Sequence, residues 1–141
     1  MGRRALRITV DTNVLVRAMV FDDPEQARLA EELLRSAELI AIPLAVLCEF
    51  VWVTTRVYRR SAGEVGEAIR TLLAIPNVIV DRPAIEAGLA LLETGGDFAD
   101  GVIAFDGRRL GGEVFASFDR SATELIAKNG GQTRLLGTAE R

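Results

Sequence analysis

The chain has 141 residues, of which 49% are hydrophobic and 26% are charged, with a formal net charge of −3. This length and balance are typical of one folded domain and exclude a disordered or fibrous chain. The sequence has no histidine and a single cysteine. Catalytic sites and zinc sites that need histidine are therefore excluded, and so is an intramolecular disulfide.

The longest apolar stretch, residues 39–53, is interrupted by Pro43 and Glu49. It is shorter than the roughly 20 residues of a membrane-spanning helix. Asp11 falls inside the first apolar run and no small-residue cleavage site follows it, which is not typical of a signal peptide. We therefore expect a cytoplasmic protein in which residues 1–141 form a single domain.

Short β-branched runs alternate with longer helical stretches along the chain. In chain order, the patterns predict a strand at 6–10, helices at 13–20 and 24–36, a strand at 39–42, helices at 43–58 and 61–73, a strand at 78–80, helices at 84–94 and 97–110, a strand at 113–116, a helix at 121–128 and a short strand at 133–136. Strands separated by helices indicate an α/β fold with a parallel sheet and helices on both faces. In such sheets the ligand site lies beyond the carboxyl ends of the strands.

Two aspartates directly follow predicted strands. Asp11 comes after the run 8–10, and Asp119 comes after the run 114–118. Because parallel strands end at the same edge of a sheet, we expect both acids at that edge.

Three further acids are candidates for the same site. Asp97 and Asp100 are three residues apart at the start of a helix, so they share one face of its first turn. Glu49 lies about two turns into the helix after the second strand, among apolar residues. Because a lone buried carboxylate is costly, we expect Glu49 to have a partner, and a metal site supplies one.

Carboxylates that lie close together repel one another, and a divalent cation reverses that cost. Mg²⁺ and Mn²⁺ prefer oxygen ligands, and either ion can deliver an activated water to a phosphorus atom. We therefore expect a site for one or two Mg²⁺ or Mn²⁺ ions.

Each acid also has a purely structural interpretation, and these alternatives stay open. Asp11, Asp97 and Asp119 each precede a helix and can cap it. Asp100 can complement the helix dipole, and Glu49 can pair with an arginine.

Four motifs occur together in a recognisable order and spacing: Asp11-Thr12-Asn13-Val14, Glu49, Asp97-Phe98-Ala99-Asp100 and Ser117-Phe118-Asp119. With these motifs nearly the whole chain resembles the PIN-domain ribonucleases. Its size and its Asp-Phe-Ala-Asp motif resemble the VapC toxins of type II toxin–antitoxin pairs. The resemblance implies a three-layer α/β/α sandwich with a central, mostly parallel sheet of four to five strands. It also implies Mg²⁺- or Mn²⁺-dependent endonucleolytic cleavage of RNA, a VapB-type antitoxin as partner, and a homodimer.

The resemblance also implies roles for particular residues. Asp11 and Asp100 match the principal metal ligands of the family, and Glu49 and Asp119 match the other two acids. Asp97 matches an accessory acid. The remaining matched positions orient the acids or a water by hydrogen bonding: Thr12, Asn13 and Ser117.

Two features depart from the family pattern. Gly101 stands where many relatives carry alanine, which weakens the helix by propensity. The acidic net charge makes RNA binding depend on three local groups of arginines: Arg3, Arg4 and Arg7; Arg56, Arg59 and Arg60; and Arg108 and Arg109. A groove wall for the antitoxin is one interpretation of residues 50–58, although we expect Trp52 and Val53 to be core residues.

Several rival functions can be stated. A haloacid-dehalogenase-like phosphatase needs a second aspartate two residues after the first, where this chain has Asn13, and a lysine near the site, whereas Lys128 lies at the end of the last helix. A response-regulator receiver also needs a lysine near the site, so the position of Lys128 argues against it as well. A catalytically silent PIN-fold binding module and a structure-specific DNA nuclease are further alternatives, although the four acids argue against the first and the short chain against the second.

Overall fold

The computed structural model describes residues 5–137, so Arg3 and Arg4 of the first arginine group lie outside the described residues. This part of the chain contains seven helices and five strands, with one or two helices between successive strands. The strands are β1 (Arg7–Thr9), β2 (Leu39–Ala41), β3 (Val78–Ile79), β4 (Val114–Ser117) and β5 (Gln132–Leu135). The helices are α1 (Thr12–Val20), α2 (Pro24–Ser36), α3 (Leu44–Arg56), α4 (Ala62–Leu73), α5 (Arg82–Glu93), α6 (Phe98–Arg109) and α7 (Arg120–Lys128). The predicted α/β class is confirmed.

The chain divides into two compact units, Met1–Asp81 and Arg82–Arg141, which we call the N-terminal and C-terminal units. The prediction of one domain over residues 1–141 stays a prediction.

The N-terminal unit is built on a three-stranded parallel sheet with the order β1-β2-β3. Ile8 pairs with Ile40, and Ile40 in turn pairs with Val78. Helix α1 packs against α2 and α3, and α3 packs against α4. The core of this unit is made of buried apolar side chains: Val10, Leu15, Val16, Ile40, Leu47, Phe50, Val65 and Ile69.

Local sequence signals explain where the helices of this unit begin. Asp23 accepts a hydrogen bond from the Gln26 N–H and precedes Pro24 in the first turn of α2. The predicted capping box of α4 is present, because the side chains of Ser61 and Glu64 bond reciprocally to each other's backbone N–H. Such caps satisfy N–H groups that have no partner inside a helix.

The C-terminal unit contains the parallel pair β4-β5, in which Phe115 pairs with Thr133. Helix α7 packs against both strands, and α5 packs closely along α6. The buried apolar side chains come mostly from the helices: Ala84, Ile85, Leu89, Phe98, Val102, Ala122 and Ile126.

All five predicted strands exist, and every strand pairing of the described residues is parallel. The hydrogen bonds divide these strands into a three-stranded sheet and a two-stranded sheet, where the sequence predicted a central sheet of four to five strands. The strands are only two to four residues long. Within residues 5–137, none of the helices combines the length and the apolar character that crossing a bilayer requires.

Candidate active site

Asp11 lies at the carboxyl end of β1 and caps helix α1. Its backbone is extended, and its Oδ1 atom accepts hydrogen bonds from the backbone N–H groups of Asn13 (3.1 Å) and Val14 (3.4 Å). The predicted helix cap at Asp11 is therefore confirmed. The backbone N–H of Asn13 is one of its two donors. Both bonds use the same oxygen, so Oδ2 of this exposed carboxylate takes no part in the cap.

Glu49 is tied to the start of α1 by a side-chain hydrogen bond. The hydroxyl of Thr12 donates to Glu49 Oε1 at 2.5 Å, and Thr12 itself is only 8% exposed. Glu49 therefore contacts Thr12, the residue after Asp11, although 37 positions separate Thr12 and Glu49 in the sequence. The observed hydrogen-bond partner of Glu49 is the Thr12 hydroxyl and not an arginine.

The expected apolar burial of Glu49 is wrong. The Glu49 side chain is exposed, whereas its neighbour Phe50 points into the core and is 1% exposed. A helix turns by about 100° per residue, so apolar neighbours in sequence do not imply an apolar environment. The argument from desolvation therefore does not apply to this acid.

A network that the sequence did not suggest ties the ends of α1 and α3. Asp22 accepts a hydrogen bond from Arg17 at 2.9 Å and another from the Tyr58 hydroxyl at 3.0 Å. Arg17 also donates to the Tyr58 oxygen at 3.3 Å. Arg17 and Asp22 are close in sequence, but Tyr58 lies 36 positions after Asp22, so no local pattern could have indicated its part in the network. It fixes α1 against α3, the two helices that carry Thr12 and Glu49.

In the C-terminal unit, two of the predicted acids cap helices. Asp97 accepts a hydrogen bond from the Ala99 N–H at 2.8 Å and begins α6. Asp119 follows β4, accepts from the Ala122 N–H at 3.1 Å, and begins α7. The Asp119 backbone N–H donates to the Ser117 hydroxyl oxygen at 2.9 Å, which fixes the turn between β4 and α7.

Asp100 lies in the first turn of α6 and is half-buried. Burial, followed by the negative charges of Asp97 and Asp119, raises the pKa of Asp100 above its ordinary value. The structure therefore brings these three acids close enough to repel one another. A cation at this place would relieve the repulsion.

Gly101, the residue after Asp100, lies where α6 comes closest to the backbone of α5. A Cβ atom at Gly101 would lie 2.4 Å from the Ala87 carbonyl oxygen and 2.9 Å from the Gly88 Cα atom, both in the backbone of α5. Only glycine permits this approach of α6 to α5. The departure from alanine at this position is thus a packing requirement, and not merely a loss of helix propensity.

Two further predictions concern residues outside the acidic motifs. Trp52 is 54% exposed, so the expectation that it is a core residue is wrong, while Val53 is half-buried. Among the arginines, Arg7 pairs with Glu38 and Arg109 pairs with Asp106.

A cleft of about 370 Å³ opens in the C-terminal unit between α5, α6 and β4. Its lining includes the apolar side chains of Leu91, Phe105 and Val114. Its charged lining residues are Arg108 and Glu113, and none of the predicted acids lines it, so the cleft is separate from the candidate acids.

The donor set has the chemistry that Mg²⁺ and Mn²⁺ prefer, since every candidate ligand is a carboxylate oxygen. Among residues 5–137, however, no three carboxylate or cysteine side chains are gathered in a way that could hold a metal ion. Metal binding therefore stays a prediction, supported by the donor chemistry and by the charge repulsion at Asp100.

Comparison with known proteins identifies the family. The model of the PIN domain family matches residues 8–127, which include all five candidate acids. A search of curated proteins finds no significant match. Since the family match covers most of the 141 residues and agrees with the observed α/β fold, the chain belongs to the PIN domain family.

Proposed function

We propose that the chain is a divalent-metal-dependent endoribonuclease and the toxin of a toxin–antitoxin pair. PIN domains are commonly nucleases and typically depend on divalent metals. A hydrolase that acts on nucleic acid is therefore the starting point of the proposal. Membership of the PIN domain family does not by itself imply that the substrate is RNA or that the protein is a toxin.

The observation that carries the nuclease proposal is the group of carboxylates around Asp100. Burial and the charges of Asp97 and Asp119 act against ionisation of Asp100. The caps at Asp97 and Asp119 gain nothing from repulsion with Asp100. A bound cation would offset this repulsion.

We assign the ion to Asp11 and Asp100 as principal ligands, with Glu49 and Asp119 binding directly or through water. The assignment rests on the match of these positions to the PIN motifs. A bound Mg²⁺ or Mn²⁺ would attract the phosphate and lower the pKa of a water.

The chain's own residues prepare such a site. Asp11 uses one oxygen for its cap and keeps the other available. Thr12 holds one oxygen of Glu49 and so limits the orientations of that side chain.

The toxin assignment rests on the resemblance of the Asp-Phe-Ala-Asp motif and of the chain length to VapC proteins. On this basis we propose a VapB-type antitoxin as partner and a homodimer as the active assembly. The absence of histidine supports a metal-dependent mechanism, because no imidazole is present to act as acid or base.

Cleavage of RNA by the purified chain tests the nuclease proposal. We expect cleavage with Mg²⁺ or Mn²⁺, no cleavage with EDTA, and recovery when the ion is added back. Asp100→Asn and Asp11→Asn should each lower the rate by about 100-fold or more, since each removes a charge that would hold the ion. Asp106→Asn is the matched control on α6, because Asp106 pairs with Arg109 and lies outside the motifs.

Undiminished cleavage by a folded Asp100→Asn protein would contradict the assignment. A single-stranded DNA of the same sequence measures the preference for RNA. Metal-dependent hydrolysis of a phosphomonoester without nuclease activity would favour the phosphatase alternative, and no activity on any of these substrates would favour the binding module.

Expression of the chain in bacteria tests the toxin role separately. We expect growth arrest that requires Asp100 and that is relieved by co-expression of a short reading frame adjacent to this gene. An active nuclease whose expression leaves growth unchanged would refute the toxin role and leave the nuclease proposal intact.

A further inference from the structure

The cleft of the C-terminal unit has an apolar interior. Its volume is about 370 Å³, and small-molecule sites typically occupy roughly 300–1,000 Å³. Its buried lining residues include Leu91 of α5 and Ile126 of α7, which are 3% and 5% exposed. Phe105 and Val114 form walls from α6 and β4. The cleft therefore offers a hydrophobic site of a size that suits a small ligand.

The mouth of the cleft lies at the other end of β4 from Asp119. Glu113 lines the cleft just before β4 begins, and Gln132 lines it at the start of β5. Asp119, in contrast, follows the last residue of β4. A ligand at this mouth would therefore use groups other than the candidate acids.

Two helices end at the mouth in the same kind of glycine turn. At the end of α6, the Gly112 N–H donates to the Gly107 carbonyl at 2.9 Å, and Gly111 has a φ of 107°. The end of α7 repeats this pattern, with a φ of 94° at Gly130. Such turns favour glycine and fix the backbone by its own hydrogen bonds. They leave the mouth open, because glycine adds no side chain to it.

Two opposite charges at the mouth have no ionic partner in the described protein. Arg108 and Glu113 lie on either side of the glycine turn of α6, and both are exposed lining residues. Within residues 5–137, neither of them forms an ion pair. The next arginine, Arg109, pairs with Asp106 and lies over the Phe105 ring at 4.9 Å. Arg108 and Glu113 are therefore available to a ligand that carries both charges.

We infer that the cleft binds a free amino acid with an apolar side chain. The side chain occupies the apolar interior, the carboxylate pairs with Arg108, and the ammonium group pairs with Glu113. The ends of α6 and α7 add to the attraction for the ammonium group, because the carboxyl end of a helix carries a partial negative charge. The inference does not depend on the proposed function, since it uses none of the candidate acids.

The pair of charges selects among ligands of similar size. A residue inside a peptide chain has neutral amide groups in place of both charges. A fatty acid has only a carboxylate, and an amphipathic amine has only an ammonium group. Each of these ligands leaves at least one charged side chain of the mouth without a charge-assisted hydrogen bond, the stronger kind of hydrogen bond. A zwitterion with a short apolar tail supplies both partners.

Calorimetric titration of the full-length protein tests the inference. The probes are L-leucine and L-phenylalanine, and three relatives of leucine each lack one feature. Glycine lacks the apolar side chain, acetyl-leucine lacks the ammonium charge, and leucinamide lacks the carboxylate. We expect saturable binding of leucine and phenylalanine, and binding of the other three that is weaker by roughly tenfold or more.

Two results of the titration would overturn the inference. One is the lack of saturable binding of leucine and phenylalanine at millimolar concentrations. The other is equal affinity for leucine, acetyl-leucine and leucinamide, which would mean that the cleft takes any apolar group and does not recognise the two charges.

Charge variants locate the binding site. Arg108→Gln and Glu113→Gln remove the two charges and alter no buried side chain, and each should weaken leucine binding by roughly tenfold. The matched controls are Arg134→Gln and Glu124→Gln, which change exposed residues of the same unit that do not line the cleft. We expect both controls to bind leucine as the wild type does. Unchanged affinity in both charge variants would contradict the assignment.

Ala104→Leu tests the interior of the cleft. Ala104 is a half-buried lining residue of α6, so the larger side chain should fill part of the cleft and abolish leucine binding. Because overpacking can destabilise a protein, thermal unfolding is measured in parallel. A folded Ala104→Leu protein that binds leucine normally would overturn the inference, and the charge variants decide the matter if this variant does not fold.

Nuclear magnetic resonance of the labelled protein places the ligand directly. Leucine should shift the backbone amide signals of three glycines that line the cleft: Gly107, Gly112 and Gly131. Shifts confined to residues that do not line the cleft would place the ligand elsewhere and refute the inference.

The outcomes distinguish this inference from the proposed function. Asp100→Asn should bind leucine as tightly as the wild type does, whatever its effect on RNA cleavage. If the wild type binds leucine but cleaves no RNA, the nuclease proposal fails and the amino acid site stands. If it cleaves RNA but binds no apolar amino acid, the site is refuted and the nuclease proposal is not.

Discussion

The two units of this PIN domain hold their candidate acids in different ways. In the N-terminal unit, Asp11 and Glu49 are exposed, and each accepts hydrogen bonds from fixed donors. In the C-terminal unit, Asp100 is half-buried, and this burial, followed by the charges of Asp97 and Asp119, raises its pKa. Asp97 and Asp119 are also held by cap donors, so the difference lies in Asp100, which is half-buried near two like charges.

This difference indicates which unit has the greater need for a cation. Hydrogen bonds from N–H and O–H groups stabilise a carboxylate without any metal. Mutual repulsion does the opposite, and only a counter-ion removes it. We therefore expect the C-terminal group to depend more strongly on metal, and the N-terminal pair to depend more strongly on its donors.

The largest effect on stability is expected from Gly101→Ala, which attacks the packing of the C-terminal group. The new methyl group would meet the α5 backbone at Ala87, so α5 and α6 must separate. We expect the free energy of unfolding to fall by about 1–3 kcal/mol in chemical denaturation. Separation of the helices should also expose Asp100 and lower its pKa towards the ordinary value.

Gly107→Ala is the matched control for this prediction. Gly107 lies in the same helix, and nothing is within 4 Å of where its Cβ atom would be. Alanine should stabilise this position by roughly 0.5–1 kcal/mol through helix propensity. Equal stabilisation by both substitutions would show that the close approach at Gly101 is not needed.

Thr12→Val tests the donor that holds the N-terminal pair. Valine has nearly the same shape but lacks the hydroxyl that donates to Glu49. We expect the free energy of unfolding to fall by about 1 kcal/mol. The proposed RNA cleavage should fall by roughly tenfold, because a ligand released from its orienting partner binds metal less well.

Thr12→Ser keeps the hydroxyl and should recover most of both losses. Since Thr12 is buried, the serine variant also shows how much of the effect comes from packing. Equal activity of the valine variant and the wild type would mean that the Thr12–Glu49 bond has no part in orienting the acid.

The sequence predicted the elements of this fold well where the signals are local. Pro24 marked the start of α2, and the Ser61–Glu64 capping box marked the start of α4. The cap positions of Asp11, Asp97 and Asp119 were also predictable, since each acid immediately precedes a helix. These features depend on residues only a few positions apart.

The sequence was less informative where a contact joins distant segments or where a face must be chosen. The bond from Thr12 to Glu49 spans 37 positions, and the approach of Gly101 to Ala87 joins two helices. The predictions for Trp52 and Glu49 are wrong because apolar neighbours in sequence do not imply burial. The three-residue spacing of these side chains places both on one face of α3, and that face is exposed.

The smallest effect on stability is expected from removing the charge of Asp100. This change tests directly whether the C-terminal acids repel one another. A carboxylate in the first helical turn is normally favourable because of the helix dipole. The raised pKa of Asp100 shows that burial and the charges of Asp97 and Asp119 outweigh this benefit. Without metal at neutral pH, Asp100→Asn should therefore increase the free energy of unfolding, by roughly 0.5 kcal/mol.

The dependence on pH gives the sign of this effect independently. Since the folded pKa of Asp100 lies above the unfolded one, the penalty is fully present above the folded pKa. It is relieved as the pH falls through that value towards the ordinary one, so the advantage of the asparagine variant should shrink in acid.

With Mg²⁺ the order of stability of the wild type and Asp100→Asn should reverse, because only the wild type has the Asp100 carboxylate as a ligand for the ion. Asp106→Asn, which removes a carboxylate paired with Arg109 on the same helix, should show neither the gain nor the reversal. If Mg²⁺ stabilises the wild type and Asp100→Asn equally, the repulsion at Asp100 does not serve to bind a cation.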